Sequence, residues 1–173
     1  MGYAYKKAEE AAKKFNTRCP YELLDAIGAV TKISYAYHEN GLKGYSAILN
    51  RQMFAVINGN LSKYERRIVA GHEAAHLILH KKEILSSPAC AMKDFALYNN
   101  SGRLEFEANT FLANFLVSDN EILRATKDPD GDFFNTACEL DIPPPLLAFK
   151  LYSMMQRGFE VTNPMSLHSK FLL

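Results

Sequence analysis

Cysteine is scarce in this chain: Cys19, Cys90 and Cys138 stand far apart, are odd in number and form no CxxC pair. That excludes a disulfide framework and a thiolate metal cluster, and it suits a reducing compartment. Charge of one sign is lacking too. Lys and Arg number 20 against 19 Asp and Glu, a formal charge of +1, so no overall field draws the chain to a phosphate backbone or an anionic membrane. No apolar run approaches the ~18–20 residues that span a bilayer. The opening Met1-Gly2-Tyr3-Ala4-Tyr5-Lys6-Lys7 interrupts any secretory apolar core, and Lys6 stands where a myristoylation signal needs Ser or Thr. The expectation is a cytoplasmic protein with no membrane partner. Internal repeats and low-complexity tracts are absent as well, which excludes solenoids and fibrous arrays.

What is present is the composition of a globular domain, with 173 residues of which 48% are hydrophobic. A chain of this size builds one core, so a single domain over residues 1–173 is expected, with its centre at about 18–126 and a helical carboxy-terminal part at about 132–158. Ala4, Ala8, Ala11, Ala12 and Phe15 follow the helical period, and Pro20 and Gly28 bracket a short second helix. Thr31–Tyr37 alternates like a half-buried strand and meets the turn signal Asn40-Gly41. Short strands are expected near Gly44–Leu49 and Met53–Ile57. After Asn58-Gly59, Ser62-x-x-Glu65 reads as a capping box that opens a long helix through about Lys81. Ile84–Gly102 has no clean period and reads as loop with a little extended structure. A helix with the stripe Leu104, Ala108, Phe111, Leu112 and Phe115 follows, then a shorter one capped by Ser118 and Glu121. Past the breaker Asp128-Pro129-Asp130-Gly131, two more helices are expected at about Phe133–Leu140 and Pro144–Arg157.

The chemistry sits in Gly71-His72-Glu73-Ala74-Ala75-His76. Residues four apart share a helical face, so His72 and His76 can turn imidazole nitrogens to one ion while Glu73 lies one step round. Zinc hydrolases need this arrangement, in which an ion acidifies water and a carboxylate carries its proton. A catalytic zinc ion takes a third protein ligand. His80 lies ~12 Å along a straight helix from His72, too far to share the ion, and reads as a packing residue or one that supports a ligand. Glu105 is the better candidate, with Asn109 one turn further on able to orient a histidine, and Glu107 is the fallback. A donor for the developing oxyanion should lie near the open position. Tyr98 and Arg103 are candidates beside the loop that could cover the cleft, though each reads more readily as a surface residue than as a catalytic one. Gly71, inside a helix, suggests a close neighbour.

These residues resemble a family. Asn58, then Gly71 to His80, then Glu105-x-x-Ala108-Asn109-x-Phe111-Leu112-Ala113 is similar to the ImmA/IrrE metallo-endopeptidases, gluzincin-type peptidases found in phages, integrative elements and bacterial chromosomes. The resemblance covers residues 18–157. It implies an α+β fold, mainly helical and zincin-like, with a small, largely antiparallel three-stranded sheet packed on the HExxH helix. It also implies His72, His76 and Glu105 as metal ligands, Glu73 as the general base and Asn109 as the residue that orients a ligand. One Zn2+ per chain is expected, although manganese, iron or cobalt can occupy such a set. The implied activity is zinc-dependent hydrolysis of a peptide bond in a helix-turn-helix repressor, which derepresses its genes. The alternative is an inactive protein of this fold that binds a repressor or toxin partner. Two departures bear on subfamily: Phe115-Leu116-Val117-Ser118 replaces Leu-Leu-Met-Pro, and Ala74-Ala75 replaces Leu-Gly. Met53–Ile57 is the expected cleft edge for strand addition by the substrate.

The carboxy-terminal helix pair also invites a DNA-binding reading. Its second helix carries only Lys150 and Arg157 as bases among Leu146, Leu147, Phe149, Leu151, Met154 and Met155, which points to core packing and to no direct contact with nucleic acid.

Overall fold

Local sequence signals account for most of the elements. The structure, a computed structural model, describes residues 2–89, 91–94, 102–126 and 132–161. The chain divides into two compact units, Met1–Glu10 with Tyr98–Leu173, and Ala11–Leu97, so the division falls inside the first helix, α1 (Gly2–Phe15).

The Ala11–Leu97 unit is a sheet packed on a helix. Pro20 at the first turn and Gly28 at φ +75° bracket α2 (Pro20–Ala26), as their preferences dictate. β1 (Ala29–Ser34), β2 (Gly44–Leu49) and β3 (Gln52–Asn58) follow. Asn50 and Arg51, both at positive φ, make the two-residue turn that twists β2 into β3. α3 (Lys63–Leu79) opens on the capping box: the Glu65 amide donates to Ser62 Oγ, and the Ser62 amide donates to the Glu65 carboxylate. His80 leaves helical geometry at φ −119° and separates α3 from α4 (Lys81–Ser86), after which β4 (Ala91–Asp94) joins the sheet.

The sheet corrects the sequence reading. It has four strands in the order β1-β3-β2-β4 and is mixed, since β1 runs parallel to β3 while β2 pairs antiparallel with β3 and β4. Asn40-Gly41 therefore makes no hairpin between β1 and β2. The Gly41 amide does donate to the His38 carbonyl, but the carbonyls of this connection are satisfied by side chains. Asn58 Nδ2 donates to His38 and Leu42, and Asn60 Nδ2 donates to Tyr35 and Tyr37. Nor can β3, the expected cleft edge, accept another strand, because its backbone is paired on both sides. Among the described residues the sheet edges are β1 and β4.

The other unit is helical. α5 (Arg103–Leu116), α6 (Asp119–Ala125), α7 (Phe133–Glu139) and α8 (Pro144–Met155) are its elements besides the start of α1. α5 packs on α8, with the Phe106 ring 5.5 Å from that of Phe149 and 6.2 Å from that of Tyr152. Ser118 and Glu121 form the capping box of α6. At the end of α8 a buried polar cluster closes the core. Lys150 Nζ, with no exposed surface, donates to Asp119 (2.7 Å) and Asn114 (3.1 Å), while Arg157 grips Asp119 with both terminal nitrogens and stacks 3.7 Å over the Tyr5 ring. Lys150 of α8 and Arg157, just past its end, are thus engaged within this unit. No helix among the described residues is long and apolar enough to cross a membrane.

Candidate metal centre

α3 is buried over Ile68–Leu77, and that stretch includes His72, Glu73 and His76. A helix hides polar side chains there only where they meet other polar groups or an ion. His72 Nε2 and His76 Nε2 lie 3.0 Å apart, with the rings edge to face at 4.7 Å between centroids. His76 presents Nδ1 to Nδ1 of the buried His80 at 3.0 Å. One of the two rings carries the proton of this contact, and the tautomer with it on His76 Nδ1 turns the Nε2 lone pair toward His72, as a metal ligand needs. Burial, then the neighbouring His72 and His80 rings, holds the His76 imidazole well below its ordinary range and keeps it neutral.

The sheet brings a carboxylate to the same place. Asp94 ends β4 opposite Gly44, its backbone carbonyl accepts from the Lys43 amide at 2.7 Å, and its Oδ2 stands 3.6 Å from His72 Nε2 and 3.9 Å from His76 Nε2. Gly44 explains how α3 comes so close to the strands. A Cβ at this position would stand 2.5 Å from Val69 Cγ1 and 2.6 Å from Glu73 Oε1, so only glycine lets the carboxylate rest on the sheet. Two imidazole nitrogens and a carboxylate oxygen facing one small space form a donor set that fits a divalent cation.

Of the residues singled out in the sequence, His72, Glu73 and His76 share this buried turn of α3, and His80 supports it. Glu105, Glu107, Asn109 and Arg103 belong to α5, in the other unit. There Glu105 is half-buried in the first turn, Asn109 is buried, and Arg103 pairs with Glu107 at 3.6 Å along the helix. Tyr98 lies outside the described residues. Sequence reasoning missed Asp94. It sits in a stretch without period, and a four-residue strand between turn signals leaves too short a pattern to register. The sheet's other face holds a groove of about 580 Å³ lined by Tyr37, His38, Tyr45 and Lys93 among others, away from the α3 histidines.

An HExxH helix laid on a small mixed sheet within an α+β chain is the arrangement of zincin-type metal sites. Residues 30–151 match the M78 peptidase family, described as the IrrE N-terminal-like domain, and the chain belongs to that family. An immunity region protein of Bacillus phage phi105, "Uncharacterized immunity region protein 2", is 35% identical over 107 residues, 62% of this chain. The match spans 63% of that relative's length. No solved structure gives a significant match.

Proposed function

We propose that the chain is a zinc-dependent endopeptidase that cuts a transcriptional repressor, with His72 and His76 as ligands and Glu73 as the general base. The observation that carries this reading is the meeting of His72 Nε2 and His76 Nε2 at 3.0 Å on a buried helix turn that also holds Glu73. A zinc ion held there would polarise the scissile carbonyl and acidify water. Glu73, one residue round the helix, takes the proton of the attacking water and returns it to the departing nitrogen. His80, in contact with His76 Nδ1, would hold His76 in the ligating tautomer by accepting its proton. The resemblance adds Glu105 as a ligand and Asn109 as the residue that orients a histidine. β4, a sheet edge that ends at Asp94, suits an extended peptide joining the sheet by strand addition. The phage relative's name, an immunity region protein, supports a regulatory substrate.

The test compares cells that express the wild type with cells that express Glu73→Gln, with new protein amino termini identified by mass spectrometry. The expected result is a cleaved helix-turn-helix repressor whose fragments fall ~10²–10⁴-fold with the variant, the usual contribution of a general base. Identical fragments with both proteins, or none with either, would overturn the peptidase reading. Stable capture of an uncut repressor by both would favour the binding protein instead.

A further inference from the structure

Asp94 has no counterpart in the motifs that brought attention to α3, and the sheet delivers it to the histidines by strand pairing alone. Its side chain is nearly buried, at 8% exposure, so the carboxylate is not there for solvation. Donor atoms of a tetrahedral zinc ion stand ~3.3 Å apart when its bonds are ~2.0–2.1 Å. The edges of the His72 Nε2, His76 Nε2 and Asp94 Oδ2 triangle are 3.0, 3.6 and 3.9 Å, which bracket that spacing. In the plane of the three atoms the point equidistant from them lies about 2 Å from each, close to the length of a zinc–nitrogen or zinc–carboxylate bond. A carboxylate that merely oriented an imidazole would accept from its other ring nitrogen, on the side away from the ion. Asp94 instead faces the Nε2 atoms, and Nδ1 of His76 is turned to His80.

We propose that Asp94 is itself a ligand to the metal held by His72 and His76, so that the Ala11–Leu97 unit carries a His₂Asp set by its own fold. This rests on the metal-centre reading given under the proposed function, and it deepens that reading. The register decides it. Asp94 and Gly44 are cross-strand partners in β4 and β2, partners project to the same face of a sheet, and the Gly44 face is the one pressed on Glu73. Lys93, one residue earlier, projects to the opposite face and lines the groove there. A slip of one residue in β4 would exchange the two.

The experiment uses the full chain stripped with chelator, titrated with zinc against a chromophoric chelator and separately with Co2+ under visible and near-ultraviolet absorption. Wild type, Asp94→Asn, Asp94→Cys and His76→Ala are compared, with far-ultraviolet circular dichroism as the check on folding. Loss of a residue that only hydrogen-bonds a ligand costs ~10–100-fold in metal affinity. Asp94→Asn is expected to lose more than that and to change the cobalt d–d bands. Asp94→Cys is expected to gain a thiolate-to-cobalt charge-transfer band absent from the wild type, because a sulfur there reaches the ion. Wild-type affinity in Asp94→Asn, or a loss within that range with unaltered cobalt bands, would overturn the proposal while leaving the metal centre intact. So would a folded Asp94→Cys without the new band. Undiminished binding by His76→Ala would be different, for it removes the metal centre itself and this proposal with it.

Discussion

Two of the polar clusters among the described residues are built on opposite principles. Around Asp119, donors and acceptors match: Lys150 and Arg157 both give hydrogen bonds to one carboxylate, and Asn114 takes another from Lys150. Opposite charges at hydrogen-bond distance make this cluster complete without any further component. On α3 the pattern is reversed. Two imidazole Nε2 atoms and a carboxylate oxygen turn toward a common point, an arrangement of donor atoms that a bound cation would join. Burial of polar groups therefore does not by itself mark a functional site. Whether the groups satisfy one another or converge on something else separates structure from chemistry.

The comparison can be broken in several ways, and the strongest is to remove the shared acceptor. Asp119→Ala leaves Lys150 charged and buried without its carboxylate, and should cost ~3–5 kcal/mol in urea unfolding, as loss of one partner of a buried pair does. If the variant costs less than 1 kcal/mol, the cluster is not the closed ion network described. Zinc provides the counterpart on α3. At ~1,000 times its dissociation constant it should raise the unfolding free energy by ~4 kcal/mol. That increment should vanish in His72→Ala and persist in Asp119→Ala, and a zinc effect retained by His72→Ala would contradict the α3 site.

Smaller effects sharpen the contrast. Gly44→Ala forces a Cβ against Val69, Glu73 and the Val56 carbonyl, and an overpacked contact of this kind should cost ~1–3 kcal/mol. Peptidase activity should fall further than stability explains, because Glu73 is one of the groups displaced; activity that simply tracks stability would mean Glu73 does not depend on that contact. The smallest effect is one of pH. Burial pushes the Asp119 carboxyl up, but hydrogen bonds from Arg157 and Lys150 outweigh it and hold the group at about 2, below its ordinary 3.8. Because the folded value is depressed, this stabilisation is complete above pH ~4 and is lost as pH falls toward ~2. Urea midpoints measured on metal-free protein across that interval should therefore fall more steeply for the wild type than for Asp119→Asn. Equal slopes would show that Asp119 is not held by its partners.

How much could be read in advance follows from how local each signal is. The α3 capping box, the HExxH spacing, the Pro20 and Gly28 boundaries of α2 and the Ser118 cap of α6 are written in neighbouring residues, and the structure has them where the sequence puts them. Lys150 and Arg157 were legible as lone bases on an apolar helix, but their common partner Asp119 lies 31 and 38 residues away. The turn signal at Asn40-Gly41 misled because a local turn was present without the strand pairing it usually announces.

By itself, then, the sequence determined the helices other than α4, which falls partly in the stretch read as loop, and the turn of α3 that sets His72, Glu73 and His76 together, because helical periodicity needs no partner. Only the tertiary structure decided that β1 runs parallel to β3, that β3 is central and closed to strand addition, and that β4 pairs with β2 in the register that sets Asp94 opposite Gly44. Strand pairing joins segments distant in sequence, and a one-residue slip turns every side chain to the other face, so neither follows from the residues of one strand alone.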